Sequence, residues 1–201
     1  EGEPGAVVFV RDVTERKRVE EVVALRARLL EYAVGHTVDE LLTYALDELG
    51  AALESPLGFF HFADEDDKTL ALMAWSSEAA DRCQVTDFRR HYSFSEAGVW
   101  VDCVRERRVV VHEDFETLPG RQGHPEGHPR IVREILVPVF RDDKTVAVLG
   151  VGNKPRPYTD TDVELAQYVA DVAWEMVQQK RTERLLTESE ELVQLAGQLI
   201  R

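Results

Sequence analysis

The chain has 201 residues, room for one domain of about 150 residues with extensions, and 44% of them are hydrophobic, enough for a true core. Its 24 basic against 38 acidic residues give a formal charge of -14, which argues against a nucleic-acid surface or an anionic membrane as partner. No apolar run approaches the ~20 residues of a membrane span, and two cysteines are too few for a disulfide scaffold, so reduced thiols in a cytoplasmic setting are expected.

In chain order, residues 6–10 read as a short strand that runs at once into a helical pattern. An isolated strand with no hairpin partner is expected to close a preceding domain. Residues 9–18, Phe-Val-Arg-Asp-Val-Thr-Glu-Arg-Lys-Arg, resemble the end of a PAS domain, whose final strand commonly runs into an Asp-(Ile/Val)-Thr-Glu-Arg-Lys linker. The resemblance implies that residues 1–14 are the remnant of such a domain and that the chain is a piece of a longer protein. Residues 15–35 then form a linker helix with an apolar stripe of Val19, Val22, Val23, Leu29, Leu30 and Ala33, interrupted by Arg26.

Thr37 with Glu40 three residues on forms a capping box and opens a second helix, 38–53, whose Leu41, Leu42, Ala45, Leu46, Leu49, Ala52 and Leu53 face a core. Ser55-Pro56 ends it. Residues 57–62 and 70–75 read as two strands around the charged turn 64–68. The middle, 76–130, is the least regular part. A short helix is expected over 99–106 and a strand over 108–112, and a sixth short strand has room to hide there. Residues 113–130 are rich in proline, glycine and histidine and read as a long loop, a length that is usually functional or disordered inside a compact domain.

The most regular stretch follows. Residues 134–140 and 145–152 are β-branched apolar runs around the turn Arg141-Asp142-Asp143-Lys144, a hairpin signal. Asn153-Lys154-Pro155 must leave the sheet, because proline supplies no donor and restricts the residue before it. From Thr159 onward the chain is helical for roughly forty residues, with Thr159 or Asp160 as the cap and Asp162 in the first turn. An inner stripe through Val163, Val169 and Met176 packs on the domain. A second stripe, Leu185, Ser189, Leu192, Ala196 and Leu199, has nothing nearby to cover and is expected to pair as a coiled coil.

This order of helix, two strands, helix, three strands and helix gives an α+β fold. A central antiparallel sheet of five or six strands has helices on its faces and long helices at both ends. Order and length are similar to a GAF domain over residues 36–178, with residues 179–201 as a C-terminal signalling helix. The resemblance is carried by Ser95-Glu96-Ala97-Gly98-Val99-Trp100 with Cys103 and Arg107, by Pro125-Glu126-Gly127-His128-Pro129 with Arg133, and by Val137-Pro138-Val139. Val151-Gly152-Asn153-Lys154-Pro155 with Tyr158 and Asp162 completes it. It points to a subgroup found between PAS modules and output domains in bacterial sensor histidine kinases and cyclic-dinucleotide enzymes. It implies a small-molecule-sensing regulatory domain, a parallel homodimer through the terminal helices, a downstream effector domain in the same chain, and no catalysis in this fragment. The alternative is a ligand-free dimerising spacer, and a third reading is a redox enzyme of the sulfoxide-reductase type. The Asn-Lys-x-x-x-Phe-x-x-x-Asp-Glu pattern of cyclic-nucleotide GAF domains is absent, and neither cysteine is followed by the histidine of a bilin site.

The expected pocket would use Trp75 and Trp100 as apolar walls and His91, Tyr92, Cys103, Glu134 and Asn153 as polar contacts, weighed against plain core filling for both tryptophans. A buried Glu134 would need a partner, expected among Arg107, Arg108 or Arg130. Asn153 reads either as a turn residue launching the last helix or as a contact reporting ligand state to it. His112, His124 and His128 read as loop histidines rather than a metal site, since no clean short-spaced ligand pair on one face is present. The cofactor is left unassigned.

Overall fold

The computed structural model describes residues 14–63, 69–83, 91–93, 98–121, 127 and 129–199. The expected first strand at 6–10, the charged turn at 64–68, and His124 and His128 lie outside these residues. Helix α1 spans Thr14–Ala33 and α2 Val38–Leu53. Strands β1 (Leu57–Ala63) and β2 (Thr69–Trp75) follow, then α3 (Ser77–Arg82), β3 (His91–Ser93), a 3-10 turn (Val99–Val101), α4 (Asp102–Arg105) and β4 (Val110–His112). A second 3-10 turn (Phe115–Thr117), β5 (Glu134–Arg141), β6 (Lys144–Gly152) and α5 (Asp160–Leu199) complete the chain.

The strands form one six-stranded sheet in the order β3-β2-β1-β6-β5-β4, every pair antiparallel. Pro138 sits inside β5, where a missing N–H would normally break a ladder. It is tolerated because β4 pairs only with Glu134, Ile135 and Leu136, so β5 has become an edge by the time Pro138 is reached. Asp142 and Asp143 both take positive φ, the two-residue geometry that a tight hairpin requires.

One face of the sheet carries the main core. Leu41, Leu42, Leu46 and Leu49 of α2 and Ala166, Val169, Ala170, Ala173 and Val177 of α5 close over Phe60, Ile135, Val137 and Leu149. α1 adds Leu25 and Leu29 to this layer. The capping box at Thr37 and Glu40 is formed, with reciprocal bonds of 3.3 and 2.8 Å. α1 and α2 run antiparallel, since Arg28 meets Glu48 and Tyr32 stacks on Tyr44. Arg26 of α1 lies 3.9 Å from Glu175 of α5. At the far end of α2, Ser55 bonds Tyr158 just before α5 begins. α2 therefore opposes α5, and α1 and α5 run parallel.

The sequence reading missed three things here. Residues 77–82 form a helix, because Ser76 caps it through Ala79 N–H while also bonding Gly58 N–H and Pro56 C=O. The inward face of α1 is Leu25 and Leu29, whereas Val19, Val23 and Leu30 of the expected stripe point to solvent. The helix expected over 99–106 splits into a 3-10 turn and a single turn of α-helix.

At Gly150 the absence of a side chain is a packing requirement. A Cβ there would stand 2.3 Å from the Phe59 ring, which lies across β6. Gly150→Ala should cost about 1–3 kcal/mol by overpacking, read as a lower urea midpoint. Because Phe59 touches both Trp75 and Trp100, tryptophan emission should shift as well. An unchanged midpoint and spectrum would mean that the ring swings aside without loss.

Candidate functional site

The second face of the sheet is covered differently. Residues 99–105, with Phe115, Leu118 and Ile131, lie over it, and no long helix among the described residues does. Leu70, Val101, Cys103, Val110, Leu136 and Val148 are buried there, and Leu57, Ala79, Val99, Phe115 and Ile131 form a neighbouring patch. The large rings on this side, Phe59, Trp75 and Trp100, are only half-buried. They meet edge to face: Phe59 lies 6.3 Å from Trp75 and 5.9 Å from Trp100 between ring centroids. The helix-covered face, by contrast, buries its large side chains fully at Phe60, Ile135 and Leu149.

The structure brings four of the expected pocket residues to this covered face. Trp75 packs in the patch with Leu57 and Val99, Trp100 and Cys103 sit on the cover itself, and Glu134 rises from β5 beneath it. His91 and Tyr92 lie on β3, paired with Ala71 and Leu70, but their side chains fall outside what is described. Asn153 stands at the loop junction with φ +68. His61 of β1 was overlooked by the sequence reading. It is buried, its ring 5.0 Å from Phe59 and 5.0 Å from Trp100. The available signal was a lone imidazole alternating with apolar residues in a central strand.

Glu134 is paired, but with His112 and not with an arginine as expected. His112 lies in β4, within the strand expected over 108–112, but it is buried, which corrects its reading as a loop histidine. The two residues are direct register partners, so their side chains leave the same face, and His112 Nδ1 is hydrogen-bonded to Glu134 Oε1 at 2.8 Å. Nε2 of the same ring lies 3.8 Å from Asp102 Oδ2 on α4. Burial pushes the Glu134 carboxyl upward and the Asp102 charge adds to this, while the His112 bond opposes it. Burial also pushes the Cys103 thiol well up, reinforced by the Glu134 and Asp102 charges. A raised thiol is the opposite of what a thiolate nucleophile needs. Cys83 and Cys103 are both free and buried. Among the described residues no group of three or more His, Cys, Asp or Glu is placed to hold a metal ion.

Asn153 ties the cover to the start of α5. Its amide donates to Arg130 C=O at 2.8 Å and accepts from Val132 N–H at 2.7 Å. Arg133 contacts Glu113 and donates to Lys154 C=O, and Glu113 also accepts from Tyr158 N–H. Lys154 Nζ then meets Asp162 Oδ2 at 2.6 Å, and the same oxygen accepts from Thr159 N–H and Oγ1–H. Burial raises the Asp162 carboxyl, but these bonds and the Lys154 charge outweigh it and hold the group below the usual carboxylate range.

Residues 35–178 match the family model described as GAF domain. The chain is 33% identical over 183 residues to the methyl sulfide methyltransferase-associated sensor of Methanosarcina acetivorans. That match takes in 88% of the chain, which spans 18% of the relative's length. Among solved structures, the GAF domain of a phosphoenolpyruvate-protein phosphotransferase from Coxiella burnetii superposes with a TM-score of 0.65 at 12% identity, covering 82% of this chain and 98% of that one. The free methionine-R-sulfoxide reductase of Neisseria meningitidis, in complex with its substrate, gives 0.62 at 17% identity, covering 89% and 98%. At these identities the structural likeness concerns the fold.

Two expected outcomes follow from the buried charges. Asp162→Asn breaks a buried ion pair and a helix cap and should cost roughly 3 kcal/mol near neutral pH. Because the folded-state value is depressed, this contribution is present above the ordinary Asp range and vanishes as pH falls through the folded value. Urea midpoints of the two proteins should therefore converge in acid, and a constant gap would refute the assignment. Glu134 has the opposite sign: its raised carboxyl favours the folded state at low pH, and this part is lost as pH rises through the folded value. Glu134→Gln should flatten that alkaline-going decline, and a decline of unaltered slope would show that another group causes it.

Proposed function

The chain belongs to the GAF domain family, and from that premise we propose that it is a cytoplasmic sensory module within a multidomain signalling protein. It binds a small molecule between the sheet and the 99–105 cover, and it passes the ligand state through α5 to an output domain such as a histidine kinase or a cyclic-dinucleotide enzyme. Trp75, Trp100, Cys103 and Glu134 line the covered side, with His91 and Tyr92 on the strand beside it, and Asn153 couples the cover loop to the exit helix. A preceding PAS domain would deliver a second input through α1.

The observation that carries this reading is the alternation of β1. Phe59 and His61 reach the covered face and touch Trp100. Phe60 and Phe62 reach the other face, where Phe62 meets Trp174 of α5 at 5.4 Å. The Arg181 guanidinium lies 4.5 Å over the same Phe62 ring. A ligand that moves Phe59 or His61 thus acts on the strand that holds α5 where it leaves the domain. Such a relay needs two arrangements of similar energy, one of them favoured by the ligand. The relative's designation as a sensor supports the same reading.

The exit helix gives the output its form. Leu185, Leu186, Leu192, Val193 and Leu195 are exposed on α5, and Val19, Val23 and Leu30 on α1. From Arg181 to Leu199 the helix extends roughly 28 Å at 1.5 Å per residue. A parallel homodimer would bury these stripes, with both entry helices at one end and both exit helices at the other. No helix among the described residues is long and apolar enough to cross a membrane. A ligand-free spacer is the second reading. It is favoured by Asn153, whose amide nitrogen and oxygen each bond the loop, and by Glu134, which already has His112 as partner.

Native mass spectrometry beside a denatured spectrum separates the two. A dimer carrying a reproducible extra mass that is lost on denaturing supports sensing, and an apo dimer favours the spacer. Leu185→Asp with Leu192→Asp should convert the dimer to monomer while the domain keeps its thermal transition. A wild-type monomer, or a dimer unaffected by both changes, would remove the paired exit helix from either reading.

A further inference from the structure

His61 has no structural task that an apolar residue would not do better. It stands in β1 between Leu72 of β2 and Val148 of β6 in register, and it is 5% exposed. Its Nδ1 is buried and has no hydrogen-bond partner. Burial pushes its pKa down to about 3, so the ring is neutral at physiological pH. A neutral imidazole keeps one donor and one acceptor nitrogen, and a buried polar atom left unpaired is destabilising. A leucine at this position would avoid that cost.

The surroundings say what would satisfy the nitrogen. Phe59 and Trp100 touch the His61 ring, Trp75 touches Phe59, and all three rings are only half-buried. The site does not suit an anion: burial is the cause of the ring's shift, with no neighbouring charge acting on it. The carboxylates of Asp102 and Glu134 are turned to His112, further along the sheet. The cover's Arg105 is engaged by Asp102 and by Gly98 C=O, and Arg133 by Glu113 and Lys154 C=O.

We propose that His61 Nδ1 is the polar anchor for a small uncharged heteroaromatic ligand, one or two rings in size, that stacks among Phe59, Trp75 and Trp100. This rests on the sensing reading and narrows its ligand class. With the Nε2–H tautomer, Nδ1 accepts a hydrogen bond from a ring N–H of the guest. The three rings supply the apolar contact, and a carboxylate or phosphate on the guest would leave water to lie against apolar rings and a neutral imidazole, without a free cation among the described residues of the cover.

The test uses indole and indole-3-carboxylate as a neutral and an anionic probe of one shape. Each is titrated into the uniformly 15N-labelled chain and followed at the imidazole nitrogens by NMR. Indole should saturate with a Kd of ~1 mM, as expected for so few atoms, and should move the His61 Nδ1 resonance. The carboxylate should bind at least tenfold more weakly. His61→Phe keeps a ring and deletes the acceptor, and it should weaken indole about tenfold with the tryptophan environment retained. His61→Leu serves as a second deletion should the phenylalanine overfill the site. Equal binding of the anion, an unmoved His61 resonance at saturation, or no saturable binding of indole would each overturn the proposal. A co-purifying anionic ligand would also overturn it while leaving the sensing reading intact. Indole binding as described without any change in α5 amide exchange would support the anchor and count against the relay instead.

Discussion

A single strand has to satisfy two cores, and the rest of the architecture follows from that. β1 lies in the middle of the sheet, hydrogen-bonded on both edges by β2 and β6. Its backbone cannot yield without breaking two ladders, so side-chain changes on one face must be absorbed by the other. The helix-covered face leaves no slack: Phe60 is 1% exposed and its neighbours on α2 and α5 are sealed. The register shift between Phe60 and His61 against β2 is the one place where this strand departs from regular pairing. A bulge re-aims side chains locally and increases twist. Here the extra residue is Met73 of β2, so the alternation of β1 between cover and exit helix continues through it.

The two faces also differ in what holds them. On the helix side the stabilisation is hydrophobic burial, roughly 25 cal/mol per Å² of apolar surface, and is insensitive to direction. On the covered side it is a mixture of apolar packing and directional bonds. The cover is a short segment with little intrinsic helix stability, since a single α-turn cannot sustain itself. It is kept in place by Val101 and Cys103 below and by the Asp102–His112–Glu134 contact at its flank. A cover held by a few polar contacts opens at lower cost than a helix packed along its length. This asymmetry suits a face that must admit something and a face that must report it.

Much of the scaffold was legible in the chain. The Thr37–Glu40 box, the 134–152 hairpin and the forty-residue final helix each combine local chemistry with a clear period, so local and tertiary preferences agree. Pro138 could be placed in a strand only because its neighbours outvoted it, and the short β4 explains why that succeeds. The misses share one cause: they depend on partners distant in sequence. Glu134 looked toward the arginines close by, but antiparallel register set it opposite His112. The 77–82 helix has no apolar period of its own and exists because Ser76 caps it and Asp47 accepts from Ser77 N–H and Oγ–H. His61 carries no motif at all, and only its burial and empty Nδ1 make it conspicuous. Of the expected site, the two tryptophans, Cys103 and Glu134 reach one face. Asn153 stands at the junction with positive φ, and a turn residue launching the last helix was the simpler expectation for it.

The route out of the domain rests on contacts of modest strength. Arg181 over Phe62 and Trp174 is the last anchored contact of α5, and beyond it every described side chain is exposed. A cation over an aromatic ring at an exposed site contributes about 0.5–1 kcal/mol. That is small against the burial holding the first half of the helix, yet it is close to the thermal energy scale on which two helix positions can interchange. The launch of α5 is fixed more firmly, through Lys154, Asp162 and Thr159. A helix pinned at its start and loosely held where it departs will pivot at the far end when β1 shifts, because the free arm converts a small rotation into a displacement that grows with length. In the proposed relay the parallel course of α1 would bring an upstream input to the same pivot. Arg26 reaches Glu175 two turns before Arg181, so a movement of α1 and a movement of β1 act on neighbouring points of one helix. In the proposed relay two such inputs would add or oppose without any contact between them, and the exit helix would combine them.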